Sequence, residues 1–210
     1  MKHIIFKVLL LVFILQSCSK PKEQVFISNY NISVTGDSSQ ETSLFILHLK
    51  NDSLFYLHFD SPQFKPNYLG KLKHNKFETE IDKLSLEYFK DSLKLYSGNI
   101  KYQFKELKEK TTNAVLINKD YFIGKEFMVN TKRNKTLIKF IDEKSGYDLS
   151  NGSSFEWDLI EFEGYYFLWN VAIIDRFPLF IKNITGDTIF TQLFTKDEVL
   201  NIIFTENEFY

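Results

Sequence analysis

The chain has 210 residues and carries 26 Lys and Arg against 27 Asp and Glu, which gives a formal net charge of −1. This balance excludes nucleic acid as an expected partner, because nucleic-acid-binding domains carry a clustered basic excess. A single cysteine excludes a disulfide framework and any zinc site built from several thiolates. The protein must therefore hold its fold through its core alone.

The first 17 residues have the order of parts found in a secretory signal. Lys2 and Lys7 form a short basic region, and an apolar run follows from Val8 to Leu15. The run is too short for a membrane-spanning helix, which needs roughly 20 predominantly apolar residues. We therefore expect residues 1–17 to be cleaved, which leaves 24 basic and 27 acidic residues and a net charge of −3.

The stretch Leu15-Gln16-Ser17-Cys18 resembles the lipobox of bacterial lipoproteins, although Gln16 stands where a small or aliphatic residue is commoner. The resemblance implies cleavage between Ser17 and Cys18, a diacylglycerol on the Cys18 sulfur and acylation of the new amino terminus. Such an anchor makes the lipid bilayer a partner, because each buried CH₂ contributes about 0.8 kcal/mol and several acyl chains together hold firmly.

The residues after the cysteine bear on the destination of the protein. Ser19 resembles the residue at this position in lipoproteins that are passed on to the outer membrane. The segment 19–23 lacks the acidic cluster that resembles a surface-export signal in Bacteroidota. We therefore expect an outer-membrane anchor with the body in the periplasm. Residues 18–24 are polar, contain a proline and predict a tether.

The remaining chain predicts an all-β protein of two tandem halves, residues 25–109 and 118–210. Apolar and polar residues alternate in short runs, as in Leu93 to Tyr96, with the period of two expected of half-buried strands. Turn signals separate these runs at Asn51-Asp52, His74-Asn75, Lys90-Asp91, Ser145-Gly146, Asn151-Gly152, Glu163-Gly164 and Gly186-Asp187. Residues 85–104 and 179–204 also share a pattern of three strands, which indicates a β-meander in each half.

Residues 118–129, "NKDYFIGKEFMV", weakly resemble the start of lipocalin-like barrels, where a short helical turn leads into Gly-x-Trp and the first strand. Gly124 matches that pattern, whereas Glu126 stands in place of the tryptophan. The resemblance implies a barrel or strongly curved antiparallel sheet, with a ligand cup in the lipocalin manner. A β-sandwich is the alternative architecture.

Histidines give little support for a metal or catalytic site. If Asn51-Asp52 is a two-residue turn, His48 opposes Phe55 and His58 opposes Phe45, so the two imidazoles point to opposite faces. They then cannot share a metal ion. The sequence therefore predicts no metal site and no cofactor.

The densest acidic stretch runs from Phe155 to Gly164. It contains four carboxylates that could serve glycoside hydrolysis as a pair, namely Glu156, Asp158, Glu161 and Glu163. The alternation slips at Leu159-Ile160, which predicts a bulge or bend there. The competing interpretation is a solvated strand face, because charges alternating with aromatic residues are typical of one.

The stretch Gly164–Asn170 places Tyr165, Phe167 and Trp169 on one strand face. Together with Trp157 on a neighbouring strand, they would form a stacking platform for sugar rings or the wall of an apolar cavity. A strand that is apolar on both faces is, however, more often simply buried.

Three Asp-Ser/Thr-aliphatic triplets resemble the O-glycosylation acceptor of exported Bacteroidota proteins, with Ser53, Ser92 and Thr188 as acceptors. The alternative is ordinary turn-into-strand chemistry. For the whole protein the sequence favours a non-enzymatic binding or accessory module. Its partner would be a small apolar ligand, a glycan or a protein, and a role in immunity to a toxin belongs to this class. The alternative is a carbohydrate-acting enzyme that uses the acidic stretch.

Overall fold

The computed structural model describes residues 23–28, 46–57, 66–73, 76–89, 91–97, 100–114, 117–171, 177–195 and 197–207. In this part of the chain the protein is all-β, as predicted, and forms two nearly closed, barrel-like antiparallel sheets. The first sheet contains β1 (Glu23–Ser28), β2 (Ile46–Lys50), β3 (Ser53–Leu57), β4 (Asn67–Lys73), β5 (Lys76–Glu78), β6 (Leu84–Tyr88), β7 (Ser92–Ser97) and β8 (Ile100–Glu106). The second contains β9 (Glu126–Asn130), β10 (Lys135–Phe140), β11 (Ser145–Asp148), β12 (Ser153–Glu156), β13 (Asp158–Phe162), β14 (Tyr165–Trp169), β15 (Pro178–Thr185), β16 (Thr188–Phe194) and β17 (Val199–Glu206).

Both sheets are antiparallel meanders in which the last strand pairs with the first. In the first sheet the strand order is β5-β4-β3-β2-β1-β8-β7-β6, so β1 pairs with both β2 and β8. In the second sheet the order is β12-β11-β10-β9-β17-β16-β15-β14-β13, so β9 pairs with both β10 and β17. The first and last strands of each half therefore pair with each other inside the sheet. The two edge strands of each sheet are consecutive in the chain, namely β5 and β6 in the first sheet and β12 and β13 in the second.

The three-strand pattern shared by residues 85–104 and 179–204 is confirmed in the structure. The first copy forms β6 to β8 and the second forms β15 to β17, each an antiparallel meander. Strand β1 begins at Glu23, so it includes the last two residues of the segment predicted as a tether.

Most of the predicted turns that the structure describes are confirmed. Asn51 and Asp52 both have positive φ and connect paired strands, as a two-residue hairpin requires. The prediction of a turn at Ser145-Gly146 is wrong, because both residues lie in β11. The Asp142 side chain forms that turn instead by accepting hydrogen bonds from the backbone N–H groups of Lys144 and Ser145.

Gly146 is a glycine for reasons of space and not of turn geometry. It pairs with Phe155 across the sheet, and a Cβ atom at position 146 would overlap the Phe155 ring. Glycine in a strand often marks such a close approach by a neighbour. The turn signal in the sequence was therefore a packing signal.

Apolar residues fill the inside of each sheet and also the space between the sheets. The first interior is built around Phe26, Leu47, Leu54 and Phe104. The interior of the second sheet contains the residues Ile117, Phe122, Phe127, Val129, Ile138, Phe140, Trp157, Leu168, Val171, Phe177, Leu179, Ile181, Ile184, Ile189, Leu193, Ile202 and Phe204. A third cluster joins β1, β2 and β3 to β13, β14, β15 and β16, so the outer faces of the two sheets pack together.

The segment between the sheets is fastened to the second sheet. The Thr111 hydroxyl donates to the backbone oxygen of Ile181 over 2.7 Å and accepts from the backbone N–H of Tyr166 over 2.9 Å. These bonds satisfy backbone groups near the register shift between Ile181 and Asn183. The helical turn predicted before the second sheet is present as a 3-10 helix, Lys119–Tyr121, which Asn118 caps.

Candidate functional site at the junction of the two sheets

Three short segments bring charged side chains together where the two sheets meet. Antiparallel register pairs Glu23 with Lys50 and Val25 with His48. Because alternate residues of a strand share a face, Glu23, His48 and Lys50 all lie on the outer face of the first sheet. Glu163 approaches them from the turn between β13 and β14 of the second sheet. We call these four residues the junction cluster.

His48 lies at the centre of the junction cluster and is almost completely buried, with 3% of its surface exposed. Its Nε2 atom lies 2.8 Å from Glu23 Oε1. Its ring meets the Phe162 ring edge to face, with 5.0 Å between the centroids. An ionised carboxylate only accepts hydrogen bonds, so Nε2 carries the proton in the neutral imidazole.

Lys50 joins the two carboxylates of the cluster. Its Nζ atom lies 3.3 Å from Glu23 Oε1 and 3.3 Å from Glu163 Oε1. The first contact stays within one sheet, whereas the second crosses to the other. Both carboxylate side chains are more than a third exposed, so water reaches this side of the cluster.

The pKa shifts in the cluster follow from burial and from these bonds. Burial lowers the pKa of His48, and the hydrogen bond with Glu23 only partly offsets that effect. Burial opposes ionisation of Glu23, but the hydrogen bonds from His48 and Lys50 outweigh it and lower the pKa of this carboxyl. Hydrogen bonds to Glu23 and Glu163 raise the pKa of Lys50. At neutral pH the cluster therefore holds a neutral imidazole between charged groups.

Local backbone structure fixes the position of Glu163. Glu163 and Gly164 both have positive φ, 52° and 81°, which is the signature of a type I′ hairpin turn. The Glu161 side chain accepts a hydrogen bond from the Gly164 N–H, and the Gly164 carbonyl accepts one from the N–H of Thr111. The turn is therefore held from its own strand and from the segment between the sheets.

The arrangement offers ligand atoms to a cation. One nitrogen of His48 and one oxygen each of Glu23 and Glu163 lie within 4.8 Å of one another. Imidazole and carboxylate together suit divalent transition metals. The Lys50 ammonium already shares two of these oxygens, so an added cation would compete with it.

The sequence patterns did not predict this cluster. They placed Glu23 in the tether, Glu163 among the acidic-stretch carboxylates, and His48 only in relation to His58. The predicted pairing of His48 with Phe55 is confirmed, but His58 and Phe45 lie outside the described residues. The signal that points to the cluster is the register of β1 with β2, and the sequence did not reveal β1 as a strand.

The four predicted carboxylates lie in different surroundings. Asp158 forms an ion pair with Lys119 over 2.7 Å, and Glu163 forms one with Lys50. Glu161 binds its own hairpin through the Gly164 N–H, and Glu156 is exposed at the end of β12. The described contacts therefore bring none of them together as a pair.

The bend predicted at Leu159-Ile160 is wrong. Pairing of β13 with β14 is continuous from Asp158 to Phe162, and the interruption falls at Trp157 between β12 and β13. Leu159 and Ile160 are both apolar because one packs inside the second sheet and the other packs against the first sheet. Burial on both faces explains the broken alternation.

The predicted aromatic platform is also wrong as a single surface. Tyr165, Phe167 and Trp169 do share a face, but that face packs into the cluster between the sheets. Trp157 is buried in the interior of the second sheet, on the opposite face of that sheet. The residues are aromatic because both sides of this part of the sheet are covered.

The predicted modification sites have different outcomes. Ser53, Ser92 and Thr188 each begin a strand directly after a turn, at partly buried positions. This is the setting expected from turn-into-strand chemistry. The lipid-attachment residue Cys18 lies outside the described residues.

A second feature is an apolar surface on the outer face of the second sheet. Interior residues alternate along β9, β16 and β17, so the residues between them point outward. Phe190 lies opposite Ile203, and Leu137 lies opposite Met128. Leu149 lies beside Leu137 and, like Phe190, is exposed. We call Met128, Leu137, Leu149, Phe190 and Ile203 the outer patch.

Comparisons with known proteins supply no identity: no family model, curated protein or solved structure matches the chain. Among the described residues, no helix has the length and apolar character that a membrane span requires.

Proposed function

We propose that this protein is a lipid-anchored, non-enzymatic binding module that receives a protein partner on the outer patch. The observation that carries the proposal is the outer patch itself. Phe190 and Leu149 expose 38% and 42% of their surface on a sheet whose interior already has a large core. Large apolar side chains grouped on one sheet face mark candidate interaction sites, and here Asn130 and Thr205 lie between the Phe190–Ile203 and Met128–Leu137 pairs.

The packing inside the second sheet favours a surface partner over an enclosed ligand. The Trp157 ring lies 4.6 Å from that of Phe140 and 5.6 Å from that of Phe122, measured between centroids. Phe127 lies 5.7 Å from Phe140 and 6.5 Å from Phe204. These rings occupy the space that a ligand cup would need.

The outer patch continues a face that already takes part in sheet packing. Phe190 and Phe194 lie on the same side of β16, and Phe194 is buried against the first sheet. The turn between β9 and β10 adds exposed Lys132 and Arg133 beside the patch, and β10 begins with exposed Lys135. This combination favours a partner with an apolar centre and an acidic rim. Blocking of an incoming toxin is one version of such a role.

The anchor belongs to the same proposal. Acylation of Cys18 at the lipobox would attach the protein to the outer membrane, and the body would lie in the periplasm. The expected charge of the mature chain is −3, so this attachment would depend on the acyl chains and not on basic residues. The Cys18→Ala variant should lose acyl labelling and membrane association. An equally membrane-bound variant would contradict the anchor.

Site-specific photocrosslinking in living cells tests the partner surface. A photoreactive residue at position 190 or 149 should give the same discrete protein adduct, because both positions lie in the outer patch. The matched control is position 109, which is exposed in the segment between the sheets. A patch that gives no discrete adduct, or the same adduct as position 109, would overturn the proposed surface. Glycan turnover that disappears in Glu156→Gln would instead establish the carbohydrate-acting alternative.

A further inference from the structure

The junction cluster has the composition of a metal site that both sheets build together. Glu23 and His48 come from paired strands of the first sheet, and Glu163 comes from a turn of the second. Their ligand atoms lie within 4.8 Å of one another. We propose that Glu23, His48 and Glu163 bind one divalent transition-metal ion, with Zn²⁺ as the best-matched ion.

The ligand types select this class of ion. Imidazole suits zinc, copper, iron and nickel, whereas calcium and magnesium prefer oxygen ligands alone. Three protein ligands leave a fourth position of a tetrahedral zinc ion for water. The site therefore resembles an open zinc site more than a closed structural one.

The geometry requires a modest rearrangement that the structure permits. Ligands about 2.1 Å from zinc lie roughly 3.4 Å apart in a tetrahedron, so the widest separation in the cluster has to shorten. The side chains of Glu23 and Glu163 are 38% and 36% exposed and have room to turn. His48 is the fixed member, because its ring is buried against Phe162.

The protonation states also suit a metal. Nε2 of His48 carries the proton that bonds to Glu23, and on metal binding the ring adopts the tautomer protonated on Nδ1. The imidazole then offers Nε2 as a neutral ligand, as metal binding requires.

Lys50 gives the proposal a distinctive test, because its ammonium group contacts the same carboxylates that the metal ion would bind. It lies 3.3 Å from an oxygen of Glu23 and 3.3 Å from an oxygen of Glu163. A metal ion has to displace this group from both carboxylates. Removal of the ammonium should therefore strengthen metal binding, whereas a cluster that only holds the sheets together would not respond in this way.

Titration of the full-length chain with ZnCl₂ in detergent tests the site. The Cys18→Ala background removes the thiol as a rival ligand. We expect one equivalent of Zn²⁺ to bind, roughly tenfold or more weakly in His48→Gln and in Glu163→Gln. Lys50→Met should bind more tightly than the parent. Glu109→Gln is the matched control, because it changes an exposed carboxylate outside the cluster, and it should bind as the parent does.

Spectroscopy with Co²⁺ provides a second readout that does not depend on affinity alone. Bound Co²⁺ should give the strong visible absorption of a four-coordinate ion, and excess Zn²⁺ should remove it. Absence of stoichiometric binding, unchanged affinity in Glu163→Gln, or weaker binding in Lys50→Met would each overturn the proposal. Thermal unfolding of each variant without metal shows whether it is folded before titration, and an unfolded His48→Gln leaves the Glu163→Gln and Lys50→Met comparisons to decide.

Discussion

Lys50 Nζ and Glu163 Oε1 lie 3.3 Å apart and form an ion pair that crosses from one sheet to the other. Lys50 also contacts Glu23 Oε1, the atom that bonds to His48, and the His48 ring packs against Phe162 of the second sheet. One buried imidazole and one exposed ion pair thus lie at the same edge of the sheet interface. The titration of His48, the ion pair of Lys50 with Glu163 and the apolar packing between the sheets can therefore be tested separately.

The stability of the protein should fall as the pH decreases through the range in which histidine titrates. Burial holds the pKa of His48 below the ordinary value of 6.5, so the unfolded chain takes up a proton before the folded chain does. The free energy of unfolding then decreases as the pH falls through about 6.5, and it levels off below the lowered pKa. The charged groups that face this ring are Glu23, Lys50 and Glu163.

Urea unfolding between about pH 8 and about pH 5 measures the effect. His48→Gln removes the titrating ring and should flatten the dependence relative to the parent chain. Other titrating groups contribute to both proteins equally, so the difference between them isolates His48. Parallel curves for the two proteins would show that the burial of His48 has no such effect.

The cluster between the sheets should contribute strongly to stability. Phe167 is fully buried there, and its ring lies 5.8 Å from that of Phe180. Phe167→Ala should lower the free energy of unfolding by about 3–5 kcal/mol, because it removes a large buried ring and leaves a cavity. Chemical unfolding monitored by circular dichroism measures the change.

Tyr147→Ala is the matched control for Phe167→Ala. Tyr147 is an aromatic residue of the same sheet, but it lies on an exposed outer face. We expect a change within about 0.5 kcal/mol. Similar losses in the two variants would show that the contact between the sheets adds little to the stability of either one.

Trp157 should stabilise the point where the second barrel nearly closes. It lies between the two edge strands β12 and β13, and its Nε1–H donates to the carbonyl oxygen of Asp142 over 2.9 Å. Trp157→Phe keeps an aromatic ring but leaves that carbonyl without the donor. We expect a loss of about 1–3 kcal/mol.

The measurement is again the free energy of unfolding, and Tyr147→Phe serves as an exposed aromatic control. If Trp157→Phe is as stable as the parent, the hydrogen bond to Asp142 is not needed to hold the edges together. The carbonyl of Ser145, which also faces the indole, accepts bonds from the N–H groups of Ile141 and Asp142 and so remains satisfied.

The sequence predicted the fold well because its signals are local. Alternation fixed Leu93 and Leu95 as inward-facing residues, and both are fully buried. Asn51-Asp52 gave the register of β2 with β3, which pairs His48 with Phe55. The error at Ser145-Gly146 arose because glycine serves turns and close packing alike, and only the position of the Phe155 ring separates the two.

The candidate site could not be predicted in the same way, because its residues are distant in the chain. Glu23 and Glu163 are 140 positions apart, and they meet only because the outer faces of the two sheets pack together. Ile160 takes part in that contact, whereas its neighbour Leu159 packs inside the second sheet. In the sequence the same pair looked like a break in alternation.

Glu163 occupies a turn position that favours a different residue, and this gives a final test of its role. Its φ of 52° and the following Gly164 form a type I′ turn, for which Asn-Gly is the preferred pair. Left-handed backbone costs most residues roughly 1–2 kcal/mol, and Asn tolerates it better. Glu163→Asn should therefore raise the free energy of unfolding by up to about 1 kcal/mol, even though it removes the exposed ion pair with Lys50.

The same variant should lose Zn²⁺ binding, since the shorter amide side chain replaces a carboxylate ligand. Stability and metal affinity then change in opposite directions, which a purely structural role for Glu163 does not predict. Thermal unfolding without metal, followed by Zn²⁺ titration, measures both properties on one sample. Glu163→Gln separates the causes, because it removes the charge without improving the turn. Loss of stability in Glu163→Asn would show that the cross-sheet ion pair outweighs the turn preference.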